Sequence, residues 1–427
     1  MRRSCVWALG LVLAGFGVCA DRASALDAPH TLHHTRQASQ HLSVTRHSKS
    51  HSAASRSSAT HSTARSASVR HRARTAGGAA VTMRRAALST RHHHYYERFT
   101  ASSFANGNIF EGDITAGEDP VVRQAAIDAL GDMNGTAVVI NPANGRILAM
   151  VNQKLALSPG AEPCSTIKLS VALAALSEGL VTRDTPVQLA GFRMNMTEAL
   201  AHSNNLYFEE LGRELGFQRV RNYANQFGLG ELAGYHIEGE QLGAYPDHEL
   251  PASEGGVARM CSFGQGVSMT PLQLGAFVAA IANGGTLYYL QHPTSRQEVT
   301  AFQPKVKRTL DIARFVPDLQ DGMAGAVEYG TARRLRANFH ELPVFGKTGT
   351  CSDKGTRFGW FASYSDTPQG SLVTVFFLEG GRPTFGPRAA ELTGEFYKNL
   401  WDRNYFAEKG QQTAEVLPPA SVTEPQP

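Results

Sequence analysis

A serine and a lysine three residues apart are the first candidates for chemistry in this sequence. Ser165 and Lys168 stand in "AEPCSTIKLSVALAALSEGL", at the start of a predicted apolar helix. Residues i and i+3 share one face of a helix, so the hydroxyl and the amine should point the same way. Serine is a weak nucleophile unless a neighbour takes its proton, and lysine takes it only when burial or a second cation lowers its pKa. The pair alone is more typical of a solvated helix start, so further partners are needed.

Two other segments contain side chains that would complete such a pair. The segment "KTGT" at 347–350 supplies a second lysine, Lys347, on a predicted strand, and Gly349 would let a substrate backbone approach closely. Ser203 and Asn205 interrupt a predicted helix and offer a hydroxyl to relay a proton and an amide to hold a peptide group. Each segment alone has a structural explanation, as a helix cap or a plain turn. The ordered set indicates acyl transfer, provided that three distant segments meet in one pocket.

The elements around these residues alternate irregularly between helix and strand. We expect a helix at 120–130, a hairpin around the Asn-Gly pair at 144–145, and an apolar helix from Pro271 to Gly284. The helix after the serine should end near Gly179. Strand-like runs lie in "FGKTGT", "FGWFASYS" and "GSLVTVFFLEGG". This order predicts the α/β (α+β) class, with an antiparallel β-sheet.

A basic, histidine-rich arm precedes the predicted catalytic body. Residues 29–96 contain eleven Lys or Arg and no Asp or Glu, so the rest of the chain has 30 basic against 37 acidic side chains. Residues 26–95 have too few large apolar side chains to offset the entropy of ordering, and we predict a disordered tether. Electrostatic contact with anionic envelope polymers is expected, and no nucleic-acid partner. A metal-binding tract is the alternative for its eleven histidines.

The first 25 residues have the pattern of a secretory signal. Two arginines precede an apolar run at about 5–20, followed by Ala-x-Ala ending at Ala25. The run is short for a membrane span, so we expect export to the periplasm or another extracytoplasmic space, with an uncleaved anchor as the alternative. The predicted division of the chain is 1–25 signal, 26–95 tether, 96–409 catalytic domain and 410–427 flexible tail.

The regions around the three motifs resemble the transpeptidase domain of penicillin-binding proteins, over roughly 135–402. The stretch "FGQGVSMTPLQLGAFVAAIANGG" is the most specific, and "AVVINPANGRILAMV" is similar to that family's first hairpin. The resemblance implies an antiparallel sheet with helices on both faces beside a mostly helical subdomain. It also implies a serine-type D,D-transpeptidase that acts on peptidoglycan stem peptides, binds penicillin covalently, and needs neither a metal nor an organic cofactor.

The resemblance also implies a role for each motif residue. Ser165 would be acylated by a D-Ala-D-Ala stem peptide or by a β-lactam antibiotic, with Lys168 as the base. Ser203 would pass the proton to the leaving amine, and Asn205 would hold the acyl-side amide.

The third motif would bind the end of the substrate. Lys347, Thr348 and Thr350 would bind its terminal carboxylate, with Gly349 between them. The backbone N–H groups of Ser165 and Thr350 would form the oxyanion hole, where each donor typically contributes a few kcal/mol.

One departure from the family keeps other activities open. Ser165 and Ser203 are only 38 residues apart, which shortens the predicted wall of the cleft between Val187 and Met194. A serine β-lactamase, a D,D-carboxypeptidase and a catalytically idle domain that senses β-lactams or binds the wall are the alternatives. No Glu-x-x-Asn follows Ser203, so the sequence has no visible machinery for fast deacylation.

Two cysteines flank the catalytic motifs. Cys164 precedes the serine and Cys351 follows "KTGT", and a bond between them would stiffen or occlude the site or make activity redox-dependent. Two separate buried thiols are the favoured alternative, which a Cα separation above about 7 Å would support. Cys261 is expected in the core. Three aromatic residues are also expected there: Phe192, Tyr207 and Phe208.

Overall fold

The structure is a computed structural model that describes residues 103–407. The predicted signal, the tether and the tail from residue 410 lie outside this range. Within the described range, none of the helices combines the length and the apolar character that crossing a membrane requires.

A five-stranded antiparallel sheet lies at the centre of the fold. Its strands are β1 (Gly135–Asn141), β2 (Arg146–Val151), β7 (Val344–Asp353), β8 (Thr356–Thr367) and β9 (Gly370–Gly380), in the spatial order β2-β1-β9-β8-β7. β1 and β2 form the predicted hairpin, in which Gly145 has a positive φ of 75°. β7, which carries the third motif, is an edge strand.

Helices cover both faces of this sheet and form the adjoining subdomain. They are α1 (Pro120–Leu130), α2 (Gln153–Ala156), α3 (Lys168–Ser177), α4 (Met196–Ala201), α5 (Asn205–Gln226), α6 (Gly256–Phe263), α7 (Pro271–Ala282), α8 (Arg296–Thr300), α9 (Val316–Glu328) and α10 (Gly386–Asp402). Short 3₁₀ helices span Cys164–Ile167, Ala252–Glu254, Ala313–Phe315 and Arg333–Ala337. Two small hairpins pair β3 (Val187–Leu189) with β4 (Phe192–Met194), and β5 (Thr286–Tyr288) with β6 (Val306–Thr309).

Two hydrophobic cores lie on opposite faces of the sheet. Successive side chains of a strand point to opposite faces, so Val138 belongs to the core formed with α3, α5 and α7, and Val139 to the core formed with α1 and α10. Both residues are fully buried, as expected for a strand covered on each face. This confirms the predicted fold class, including the helices on both faces.

Local sequence signals set the ends of the helices near the site. Thr270 and Gln273 form a capping box at the start of α7, where Pro271 occupies the first turn. Asn204 caps α5 by accepting a hydrogen bond from the backbone N–H of Tyr207. Between α4 and α5 the chain turns at Ser203, whose φ is 56°. The predicted interruption of the helix is therefore confirmed.

One predicted core residue is exposed. Tyr207 and Phe208 are fully buried, but Phe192 is 39% exposed. Phe192 lies in the β3–β4 hairpin, in the segment where a shortened wall was expected. A two-stranded hairpin has no second layer over its outer face, so an apolar side chain there stays in contact with solvent.

Candidate active site

The three predicted motifs meet in one cluster of polar side chains. Lys168 Nζ lies 2.7 Å from Ser165 Oγ and 2.8 Å from Asn205 Oδ1. Lys347 Nζ lies 2.8 Å from Ser203 Oγ. The start of α3, the break between α4 and α5, and the edge strand β7 thus each contribute to the same cluster of polar atoms.

A turn of 3₁₀ helix sets the Ser165–Lys168 contact. The Ser165 segment, defined as residues 161–167, ends in the 3₁₀ helix Cys164–Ile167, and α3 begins at Lys168. Side chains at i and i+3 eclipse in a 3₁₀ helix, so this geometry brings the amine directly over the hydroxyl. The prediction of a shared helical face is confirmed, with a tighter helix than expected at the serine.

The three contacts of Lys168 fit the three N–H groups of a charged amine, and an uncharged amine can keep all three as well. Its Nζ also lies 2.6 Å from the carbonyl oxygen of Ser262, which only accepts hydrogen bonds. The side-chain oxygen of Asn205 is also only an acceptor. A neutral amine has two N–H groups for these two acceptors, and its lone pair then faces the Ser165 hydroxyl. The geometry suits removal of the Ser165 proton.

The surroundings of Lys168 favour this uncharged form. Burial is the main cause that places the pKa of Lys168 well below its ordinary value, and the charge of Lys347 lowers it further. Glu209 acts in the opposite direction. The rings of Phe208 and Phe263 lie 5.7 and 5.8 Å from Nζ, and their cation–π attraction also acts in the direction of the charged form.

Lys347 is the second buried cation of the site. Its side chain is fully buried, and burial lowers its pKa to about 7. The amine donates to Ser203 Oγ and, at 3.1 Å, to the carbonyl oxygen of Thr348. Lys347 is therefore close to the point of losing its charge at neutral pH.

Other residues of β7 make contacts that the sequence did not predict. The Thr348 hydroxyl donates to Thr331 Oγ1 at 2.7 Å, and Thr350 Oγ1 accepts from the backbone N–H of Gly386 at 2.8 Å. Thr331 and the Ser262 carbonyl are thus site groups that sequence reasoning missed. Neither stands in a recognisable motif, and a backbone carbonyl leaves no side-chain signal.

Gly349 lies against the protein's own chain. A Cβ atom at this position would lie 2.8 Å from the carbonyl oxygen of Pro163 and 3.1 Å from the methyl group of Thr166. The glycine therefore lets β7 pack against the Ser165 segment. In this structure, Gly349 provides a close approach between β7 and the Ser165 segment, and its expected contact with a substrate backbone stays a prediction.

The favoured expectation of two separate thiols is wrong. Cys164 and Cys351 form a disulfide, with their Cα atoms 5.6 Å apart and a sequence separation of 187. The tight packing of β7 against the Ser165 segment brings the two cysteines within bonding range. Cys261 is a free buried cysteine, as predicted, and burial raises the pKa of its thiol.

A cleft of about 930 Å³ opens beside the disulfide. Thr350 and Cys351 form part of its wall, and Glu162, Arg259 and Asp353 contribute charged groups. Burial, and then the nearby carboxylate of Asp353, raise the pKa of Glu162. The cleft is large enough for a peptide-sized ligand, and Thr350 is the motif residue that lines it.

Comparisons with known proteins agree on one family. Residues 135–398 match the family model described as "Penicillin binding protein transpeptidase domain". Stage V sporulation protein D of Bacillus subtilis is 30% identical over 316 residues, covering 62% of this chain and 48% of that protein. Peptidoglycan D,D-transpeptidase MrdA of Acinetobacter baumannii is 23% identical over 356 residues, covering 66% and 52%. The chain thus spans about half the length of these curated relatives.

Solved structures show the same fold. The D,D-transpeptidase domain of a peptidoglycan glycosyltransferase from Eggerthella lenta superposes with a TM-score of 0.52 and 19% identity, covering 67% of this chain and 82% of that one. A peptidoglycan glycosyltransferase from Burkholderia ambifaria gives a TM-score of 0.56 and 20% identity, covering 69% and 99%. At these identities the likeness concerns the architecture alone.

Proposed function

The chain belongs to the penicillin-binding protein transpeptidase family, and from that premise we propose that it is a serine D,D-transpeptidase acting on peptidoglycan stem peptides. The observation that carries the proposal is the contact of 2.7 Å between Lys168 Nζ and Ser165 Oγ, with two acceptors taking the N–H groups of the amine. The same serine would bind penicillin covalently.

Acylation would begin when Lys168 takes the proton of the Ser165 hydroxyl. Ser165 Oγ then attacks the carbonyl carbon between the two D-alanines, and the carbonyl oxygen becomes an oxyanion. The backbone N–H groups of Ser165 and Thr350 would hold this oxyanion, a stabilisation typically of about 3–4 kcal/mol per donor. Asn205, whose side-chain oxygen already contacts Lys168, would present its amide nitrogen to the acyl side of the substrate.

Collapse of the tetrahedral intermediate would release the terminal D-alanine. The carbon–nitrogen bond breaks and the leaving amine takes a proton, which Ser203 would relay from the lysine pair. Lys347, Thr348 and Thr350 would bind the terminal carboxylate, with Gly349 keeping the strand close to the Ser165 segment. An amine of a second stem peptide would then attack the acyl-enzyme, forming the cross-link and restoring the Ser165 hydroxyl.

A label-retention experiment tests this function. The purified protein is incubated with a fluorescent penicillin, the free drug is removed, and bound label is followed over hours. We expect label on the wild type, persistence over that time, and no label on Ser165→Ala. Rapid loss of label with turnover of the drug would identify a β-lactamase. Absence of label on the wild type would identify an idle domain and overturn the proposal.

A second assay separates cross-linking from hydrolysis. With a D-Ala-D-Ala peptide as donor, we expect an added amine acceptor to divert product from the free acid to the amide. A free acid yield that does not respond to the acceptor would identify a D,D-carboxypeptidase instead.

For the whole chain we propose an exported enzyme on a basic tether. Residues 1–25 would direct export, 26–95 would rest on anionic envelope polymers, and 96–409 would carry the activity ahead of the 410–427 tail. The positive charge of the tether supports this proposal, because it attracts anionic polymers. A contact of this kind should weaken as added salt screens the charges. Binding to anionic wall polymers that does not fall with added salt would contradict it.

A further inference from the structure

We propose that the Cys164–Cys351 disulfide positions the oxyanion hole for acylation. The inference rests on the function proposed above. Cys164 immediately precedes Ser165, and Cys351 immediately follows Thr350. The bond therefore joins the two residues next to the two proposed oxyanion donors and fixes the distance between them.

The backbone conformation of Cys164 explains how the disulfide acts on the N–H of Ser165. Its φ is 51°, in the left-handed region that residues other than glycine adopt only rarely. Rotation about the backbone of Cys164 turns the following peptide plane, which carries the N–H of Ser165. The cross-link to β7 holds Cys164 in this conformation, because relaxation would have to move Cβ away from its bonded partner. Without the bond, relaxation of Cys164 would turn the Ser165 N–H away from the oxyanion.

Other contacts should keep the two segments together when the bond is broken. The carbonyl oxygen of Glu162 accepts a hydrogen bond of 3.0 Å from Trp360 Nε1, and the indole of Trp360 is fully buried on β8. Pro163 packs against Gly349 of β7. The loss of the disulfide is therefore expected to change the local geometry at Ser165 more than the fold.

The bond is also open to attack from solution. Cys164 is fully buried, but Cys351 is partly exposed and lines the cleft beside Thr350. A phosphine reductant entering the cleft attacks one sulfur and becomes a phosphine oxide, with water supplying the oxygen and the protons for two thiols.

The test compares acylation rates in four forms of the full chain. These are the oxidised wild type, the wild type reduced with tris(carboxyethyl)phosphine, Cys164→Ala/Cys351→Ala, and Cys164→Gly/Cys351→Ala. Alkylation and mass spectrometry verify the thiol state. The saturating acylation rate constant and the half-saturating penicillin concentration are measured separately, together with the thermal midpoint.

We expect the saturating rate constant to fall about tenfold in the reduced wild type and in the double alanine variant, equivalent to about 1.4 kcal/mol. Complete loss of an oxyanion donor typically costs about 100- to 1000-fold, so a displaced donor should cost less. The glycine variant should recover most of the rate, because glycine adopts a positive φ without a cross-link. The half-saturating concentration should change little.

Three results would overturn the inference. The reduced wild type could acylate at the oxidised rate, the glycine variant could be as slow as the alanine variant, or the forms could differ only in thermal midpoint. Cys261→Ala is the matched control, and its reductant sensitivity should equal that of the wild type. Equal labelling of all forms removes this inference alone, whereas an unlabelled oxidised wild type removes the proposed function and this inference with it.

Discussion

Two regions of the molecule bury positive charge in opposite ways. Beside α1, Arg123 donates to Asp113 at 2.6 Å and to Glu118 at 2.8 Å, and His292 contacts the same Glu118 at 2.8 Å. In the candidate active site, Lys168 and the nearby second lysine contact only hydroxyl, amide and carbonyl oxygens within hydrogen-bonding distance. Only the first region balances its buried cation with carboxylates.

The difference shows which cation is held charged and which is free to lose its proton. Burial alone would lower the pKa of Arg123, but its hydrogen bonds to Asp113 and Glu118 outweigh this effect and the pKa rises. The pKa of Lys168 falls because no carboxylate contact offsets its burial. The paired region should therefore contribute to stability, and the unpaired one to chemistry.

Replacing the unpaired amine of Lys168 should have the largest effect of the three, and the quantity affected should be the acylation rate. We expect Lys168→Met to lower the penicillin acylation rate at least about 1000-fold, within the range that general base catalysis supplies. Stability should be unchanged or higher, because an apolar side chain replaces a buried amine. Acylation time courses and thermal melts measure the two effects. Lys398→Met, at an exposed lysine paired with Asp402, is the control. An unchanged rate in Lys168→Met would contradict the proposed difference between the two regions.

Replacing the paired cation should have the opposite effects, a loss of stability and an unchanged acylation rate. Arg123→Met leaves Asp113 and Glu118 buried without their partner, so we expect the free energy of unfolding to fall by about 3–5 kcal/mol. The acylation rate of the protein that remains folded should stay at the wild-type value. Urea denaturation measures the free energy of unfolding. The control is Arg213→Met at an exposed pair with Glu210, where a loss below about 1 kcal/mol is expected. Equal losses in both variants would contradict the assignment.

The third prediction concerns the pH profile of acylation rather than the rate itself, and the expected shift of that profile is the smallest of the three effects. The charge of Lys347 lowers the pKa of Lys168, so Lys347→Met should raise that pKa. The base must be deprotonated to act, and the acidic limb of the acylation rate profile should therefore move to higher pH. The pKa of Lys347 itself is about 7, so its charge acts mainly below neutral pH. Acylation rates measured from pH 5 to 9 give the position of the limb. Lys354→Met, on an exposed turn, should leave it in place, and an unshifted limb in Lys347→Met would refute the coupling.

Local signals in the sequence were sufficient for most elements of the fold. The helix start at Pro271, the Asn-Gly turn before β2 and the break at Ser203 each depend on neighbours a few residues away, and each prediction is confirmed. The fold class follows from their order together with the family resemblance.

Contacts between distant residues were harder to predict. The partner of Cys164 lies 187 residues away, and the sequence does not show how closely β7 packs against the Ser165 segment, so separate thiols were the favoured expectation. The contact of Thr331 with Thr348 depends on how the turn after α9 packs against β7. Phe192 was placed in the core on hydrophobicity alone, although a two-stranded hairpin has no second layer to cover it.

The position of β7 at the border of the sheet has a consequence for how the molecule meets other chains. The outer backbone groups of a border strand remain available for pairing, and in most proteins this invites unwanted association. Here the strand ends at Asp353 and is followed by Lys354. Both residues are exposed, and charged side chains at such a place discourage a second folded copy from docking. A slender, extended peptide can still align along the same backbone as an added strand. A border strand with charged side chains at its end can therefore pair with an added extended strand while it discourages association between folded copies.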